Sequence, residues 1–307
     1  MRVFTSFSLK IVDWPMVSKW IFLVFICLNN TSLCSQNYTE DIRQWKEHRI
    51  AELKSETGWL NLAGLFWLSE GKQTFGGSVT DAIRFPIPSF PAGVGYYEKK
   101  GNTVTQMLNK SIDIKVNAVF KKEAVVFHQD SLQQPLISFA SYRWTLIRRG
   151  DRIGIRFRNL EHPAINELKE IPCFDIDTSF RVKAKLIRPI LQTNIPIENV
   201  LGQTIMQFSP GKLHFTIQGT MYMLDALTEG DKLFIVFGDE TSGTTTYPAG
   251  RYLYAKMPGD DGMTVLDFNK AFNPPCAFTA FATCLLPPKQ HILPIAITAG
   301  EMKAGSH

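Results

Sequence analysis

From Thr57 onward the chain is cut into short apolar runs by glycines, prolines and pairs of polar residues, and this constrains its fold more than any other feature. Phe180–Ile187 is the cleanest run: Phe180, Val182, Ala184 and Leu186 alternate with Arg181, Lys183 and Lys185. A period of two puts neighbouring side chains on opposite faces of a pleated strand, so one face is buried and the other wetted. Further short strands are expected at Ala82–Pro86, Gly93–Lys99, Thr103–Leu108, Ile112–Val116 and Ala124–Phe127. Phe139–Arg148 and Arg152–Arg158 flank Arg149-Gly150-Asp151, a hairpin signal. Thr204–Ser209, Lys212–Gln218, Thr220–Leu227 and Lys232–Phe237 complete the series. The abundance of Phe (22), Gly (21) and Pro (17) suits short strands joined by tight turns.

Helical spacing is confined to residues 39–54, where Ile42, Trp45, Arg49/Ile50 and Leu53 recur on one side and Thr39 can cap. The expected fold is therefore mainly β, with sandwich or barrel-like halves and one N-terminal helix. The first β-rich half spans about residues 57–135 and the second 138–300, with a boundary near the polar stretch 129–137.

Residues 1–35 read as a signal segment. The uncharged run 20–28 follows Lys19, and Asn29-Asn30-Thr31-Ser32 makes a polar exit. Asp13 and Pro15 break the pattern upstream, which makes Met16 a candidate start. The run is shorter than the ~20 residues a membrane-spanning helix needs. The expectation is export to the periplasm or medium, with a lipid anchor at Cys34 as the alternative. Residues 1–35 hold Arg2, Lys10 and Lys19 against Asp13, so the remainder carries 30 basic and 27 acidic residues. That balance does not fit a nucleic-acid partner. Arg148, Arg149, Arg152, Arg156 and Arg158 form the densest basic patch. Since Ile153, Ile155 and Phe157 alternate with it, the patch reads as the wetted face of a strand.

Two stretches carry the residue types of a site. Gly238–Leu253 places Asp239, Ser242, Tyr247 and Arg251 directly after a strong strand. Binding and catalytic groups commonly occupy loops leaving rigid strands. Asp267, Asn269 and Asn273 follow in a loop stiffened by Pro274-Pro275. Asp239 and Asp267 could form an acid–base pair. Tyr247, Arg251, Asn269, Asn273 and Ser242 would then hold a small polar or sugar-like molecule. The competing account is structural, with each acid capping a turn and Arg251 buried against Asp239 or Asp267. Cys276 and Cys284 suit a disulfide or two buried thiols better than zinc, because their spacing is wrong and only His291 is close. Cys173 reads as a core thiol, and His128, His162 and His214 as structural histidines. Trp45, Trp59, Trp67 and Trp144 read as core residues, with sugar stacking by Trp59 or Trp67 the alternative. No metal or cofactor is implied.

The order Asp-Glu-Thr-Ser-Gly from Asp239, Tyr-Pro-Ala-Gly-Arg-Tyr-Leu from Tyr247, Leu-Asp-Phe-Asn-Lys-Ala-Phe-Asn-Pro-Pro-Cys-Ala-Phe from Leu266, Cys284-Leu-Leu-Pro-Pro and Ala299-Gly-Glu resembles the bacterial family named domain of unknown function 1684. Gly58-Trp59-Leu60 through Leu68-Ser69-Glu70-Gly71 matches its opening, so the likeness covers roughly residues 43–301. It implies no activity. Within residues 59–115, Trp67-Leu68-Ser69-Glu70-Gly71, Phe75-Gly76 and Asp81–Pro86 are also similar to the opening of forkhead-associated domains. That likeness implies a β-sandwich, but the phosphothreonine-reading arginine of such domains has no counterpart.

Two functions remain open. One is a hydrolase- or lyase-like enzyme using Asp239 and Asp267. The other is a non-catalytic envelope protein binding a ligand or a partner. The density of polar groups in the two loops exceeds what turns require, which favours the first.

Overall fold

The computed structural model describes residues 37–304, so the expected signal segment, Met16 and Cys34 lie outside the described residues. A helix, α1, covers residues 37–54. It crosses the division between two compact units, residues 1–46 and 47–307. In the first unit Arg43 pairs with Glu40 one turn away. Everything below concerns the second unit.

This body is mostly β, as the alternating runs imply. Eleven strands come first: β1 (Leu62–Trp67), β2 (Gly71–Gly76), β3 (Ile83–Arg84), β4 (Gly95–Lys100), β5 (Thr103–Leu108), β6 (Lys115–Val116), β7 (Val119–Phe120), β8 (Glu123–His128), β9 (Ile137–Phe139), β10 (Tyr142–Arg149) and β11 (Arg152–Asn159). They form a six-stranded sheet, β1-β11-β10-β9-β6-β7, and a five-stranded sheet, β3-β2-β4-β5-β8. Both sheets send side chains into one core, with Phe75, Tyr97 and Val104 from one and Trp144, Ile155 and Phe157 from the other. Phe85 lies between them, its ring 5.2 Å from Trp144 and 4.7 Å from Phe157. This is a sandwich whose two inner faces interdigitate. The buried chain Trp144 Nε1–H to Tyr97 Oη (2.8 Å), then Tyr97 O–H to Gln106 Oε1 (3.0 Å), satisfies the polar ends of those rings.

The polar stretch 129–137, where composition suggested a boundary, is followed by β9–β11. These strands pair back onto β1 and β6, so the first core is complete only at Asn159. The hairpin between β10 and β11 turns through Gly150-Asp151. Gly150 has φ 57°, the sign required at the first position of a type II′ turn.

The remaining strands are β12 (Arg181–Ile187), β13 (Thr193–Glu198), β14 (Thr204–Ser209), β15 (Gly211–Ile217), β16 (Thr220–Glu229), β17 (Lys232–Asp239), β18 (Arg251–Lys256), β19 (Met263–Asp267) and β20 (Ile292–Leu293), and all but β13 and β14 line a second core. The main sheet runs β18-β17-β16-β15-β12-β19, with β20 parallel to β17 and β13-β14 a separate hairpin. Thr264 Oγ1 donates to Lys256 O at 2.7 Å, so β19 lies beside β18 and the sheet curls back on itself like a barrel. Its inside is lined by Leu213, Phe215, Leu233, Ile235, Phe237, Leu253, Leu266 and Phe268. Because neighbours are antiparallel, the ends of β17 and β19 and the start of β18 share one rim. Asp239, Asp267 and Arg251 stand at those three positions.

Candidate functional site

At that rim Asp239 and Arg251 form an ion pair. Arg251 Nη2 donates to Asp239 Oδ2 at 2.9 Å, and neither side chain is exposed (0%/0%). Arg251 starts β18 because Gly250, at φ 79°, turns the chain where any Cβ would collide with the Phe237 carbonyl. Its terminal nitrogens also serve the main chain of the C-terminal segment: Nη2 to Ile297 O (2.8 Å), Nη1 to Ala299 O (2.5 Å) and to Glu301 O (3.3 Å), while its buried Nε has no hydrogen-bond partner. Asp239 Oδ1 accepts from Thr241 N (2.8 Å), Thr241 Oγ1 and Ile297 N (3.3 Å). Ser242 Oγ, half-buried, accepts from Asp239 N at 3.1 Å. Burial pushes the Arg251 guanidinium down from its ordinary range, and the Asp239 charge opposes the shift. Tyr247 is half-buried, and burial raises its phenol.

Asp267 faces other partners. It caps the short 3₁₀ turn Phe268–Lys270 by accepting from Asn269 N (3.2 Å), and its Oδ2 lies 3.9 Å from Arg181 Nε. Asn269 clamps the main chain of Asp177: its Oδ1 accepts from Asp177 N (3.0 Å) and its Nδ2 donates to Asp177 O (2.8 Å). Asn273, fully buried, donates from Nδ2 to Met302 O (2.8 Å) and from its backbone N to Glu301 Oε2 (2.7 Å). The two loops therefore reach the same rim with segment 297–302 threaded between them. Phe237 and Phe268 fill the space beneath, 5.3 Å apart.

Two charged residues at this rim were not singled out for the site. Glu301, 1% exposed, accepts from Arg49 Nε at 3.2 Å. Arg49 also donates from Nη2 to Asn273 O (2.9 Å) and lies over the Phe272 ring at 4.6 Å. Burial raises the Glu301 carboxyl, against the charges of Arg49 and Arg251. The one hint was that Arg49 sits on the apolar stripe of its helix. Cys276 and Cys284 are joined by a disulfide with Cα atoms 6.2 Å apart. Cys173 is half-buried, and its backbone pairs with Glu301.

Residues 166–302, which hold this rim apart from Arg49, match the family described as protein of unknown function (DUF1684). This segment is similar to that family. The match starts after β11, so the Gly58–Gly71 likeness lies outside it. The matched segment thus supplies a buried polar rim that is closed by residues 297–302 and by Arg49. Among solved structures, the chain is similar to the solution NMR structure of the uncharacterized protein from gene locus rrnAC0354 of Haloarcula marismortui. The two are 28% identical over 46% of this chain and 80% of that one, with a TM-score of 0.39. No curated protein matches.

Two other surfaces lie away from the rim. A 460 Å³ concavity crosses the outer face of β12, β15, β16 and β19, lined by Lys183, Lys185, His214, Thr216, Met221 and Met263 among others. The outward face of β10 and β11 carries an arginine row, Arg149, Arg152, Arg156 and Arg158, whereas Arg148, paired with Ile153, falls on the other face. Trp59 and Trp67 are not open for sugar stacking on the faces covered by Arg156 (5.1 Å) and Arg152 (4.2 Å). Among the described residues no helix is long and apolar enough to cross a membrane.

Proposed function

We propose that this is an exported, non-catalytic protein that binds a ligand or a partner. The observation carrying this reading is the sealed Asp239–Arg251 pair, with both side chains 0% exposed and the Asp239 carboxylate and Arg251 terminal nitrogens bonded to each other and to Thr241, Ile297 and Ala299. A general acid or base must come within hydrogen-bond reach of a substrate proton. A group used to hold a C-terminal segment in place does not. Asn269 and Asn273 have the same character, since their amide nitrogens donate to main-chain carbonyls. The export part of the reading rests on the apolar run 20–28 behind Lys19.

The test is thermal melting of Asp239→Asn and Arg251→Ala. Both variants are expected to melt far below the parent, because each leaves a buried group without its partner. Unchanged melting temperatures would remove the structural role and return the two residues to candidacy as catalysts.

A further inference from the structure

The chain treats its fully and half-buried arginines in two ways. Arg251 faces Asp239, and Arg49 faces Glu301. Arg149, Arg156 and Arg158 have no such partner: among the described residues, no Asp or Glu forms an ion pair with any of them. Arg149 Nε donates to Thr283 Oγ1 (2.8 Å), and Arg158 Nη1 donates to Asn61 Oδ1 (2.5 Å) and to Gly58 O. Arg156 Nε and Nη2 are shut off from water and have no hydrogen-bond partner, while the guanidinium lies over the Trp59 ring.

The sequence pattern reads this face as wetted, and that expectation fails at Arg156. β11 does alternate, with Ile153, Ile155 and Phe157 inward and Arg152, Arg156 and Arg158 outward. What lies over the outward side comes from far along the chain: Trp59 before β1, and Thr283 in the loop closed by the Cys276–Cys284 disulfide. Removing a guanidinium from water without a counter-charge or an acceptor is strongly unfavourable. A buried polar group left unsatisfied calls for a ligand, an ion or water to complete it.

We infer that Arg149, Arg156 and Arg158 form a binding site for a multiply charged oxyanion of the phosphate or sulfate type. Guanidinium forks match such groups in shape as well as charge. Three clustered cations without an acid favour a dianion over a single carboxylate. Supporting this, burial and then the charges of Arg149 and Arg158 lower the Arg156 guanidinium to about 10. A bound dianion relieves both causes.

This assignment rests on the binding reading above and names its ligand class. The experiment is calorimetric titration and thermal melting of the parent with inorganic phosphate, sulfate, glucose 6-phosphate and acetate, at constant ionic strength against chloride. Saturable binding and a raised melting temperature are expected with the first three and not with acetate. Glucose 6-phosphate binding more tightly than phosphate would place the anion on an organic ligand. Arg156→Gln is expected to weaken binding by about tenfold or more, the value of a lost charge-assisted hydrogen bond. Arg149→Gln serves the same purpose should the first variant not fold, and Lys183→Gln, in the distant groove, should bind like the parent. Absence of saturable binding to all three polyanions, or equal affinity in the arginine variants and the parent, overturns the site. Low melting of Asp239→Asn alongside that result would leave the binding reading standing and remove only this ligand class.

Discussion

Replacing Arg49 by Met probes how the rim is held. The parent pair is close to fully buried, with Arg49 11% and Glu301 1% exposed. Removing one partner of a buried pair typically costs about 3–5 kcal/mol, because the remaining charge stays desolvated. Asn273 N still donates to Glu301, and Arg251 still lies near it, so the lower part of that range is expected. Met fills most of the arginine stem over Phe272, which limits the packing loss. For a body of this size, each kcal/mol lowers the melting temperature by about 2–4 °C, so a drop of roughly 6–12 °C follows.

The signature that separates charge from packing is pH. Burial already raises the Glu301 carboxyl above its ordinary 4.5, and Arg49 is the largest influence opposing that rise. Without Arg49 the folded-state value rises further while the unfolded value stays put. A carboxyl raised on folding destabilises the ionised protein. The penalty is therefore full at high pH and fades as pH falls through the folded value toward 4.5. Urea melts of parent and Arg49→Met at about pH 8 and about pH 5 should show a gap that narrows in acid. Adding Glu301→Gln to Arg49→Met should recover part of the loss, so the double variant is less destabilised than the two singles together. A gap independent of pH, with additive variants, would mean Arg49 acts only by packing on Phe272, and the electrostatic account of the rim would fall.

Two further outcomes are expected. Asp225 is held down to about 2 from an ordinary 3.8, first by His291 at 3.0 Å and then by Lys212 at 2.6 Å. Its contribution is present above 3.8 and is lost as pH falls from there through about 2, so the stability gap between the parent and Asp225→Asn should close over that window. The Cys276–Cys284 bridge closes a loop of sequence separation 8. Reducing it, or making both residues serine, should cost about 2–3 kcal/mol in chemical denaturation. A loss well below 1 kcal/mol would show that the loop is held by its packing alone.

The elements readable from sequence are those whose burial is set by their own pattern. β12 alternates because one face lies on Leu213 and Phe215 while the other meets water, and its lysines and arginine report that directly. β2 and β13 were hidden for opposite reasons. Gly71-Lys72-Gln73-Thr74-Phe75-Gly76 is polar and begins and ends in glycine, so it reads as two turns, and only its pairing with β4 and β3 makes it a strand. Thr193–Glu198 contains Pro196, which argues against a central strand. It is tolerated because β13 pairs only with β14, in a two-stranded hairpin.

The rim was half legible for a related reason. The pairing of Arg251 with Asp239 was one of the two accounts open from sequence, because a buried arginine needs an acid and one stood twelve residues away. What segment 297–301 does could not be read at all: Ile297, Ala299 and Glu301 hold Arg251 through main-chain carbonyls, which leave no mark on residue type. The same asymmetry explains the arginine row. A strand's spacing says which side chains share a face, but only the tertiary fold decides what covers that face. On β12 nothing but the wide groove lies over the lysines, and they stay wet. On β11 Trp59 and the loop bearing Thr283 close over chemically similar residues. An unpaired cation is unremarkable in the first setting and out of place in the second. The place to look for a ligand is therefore where a polar face has been covered without being neutralised, and in this chain that face is the one around Arg156.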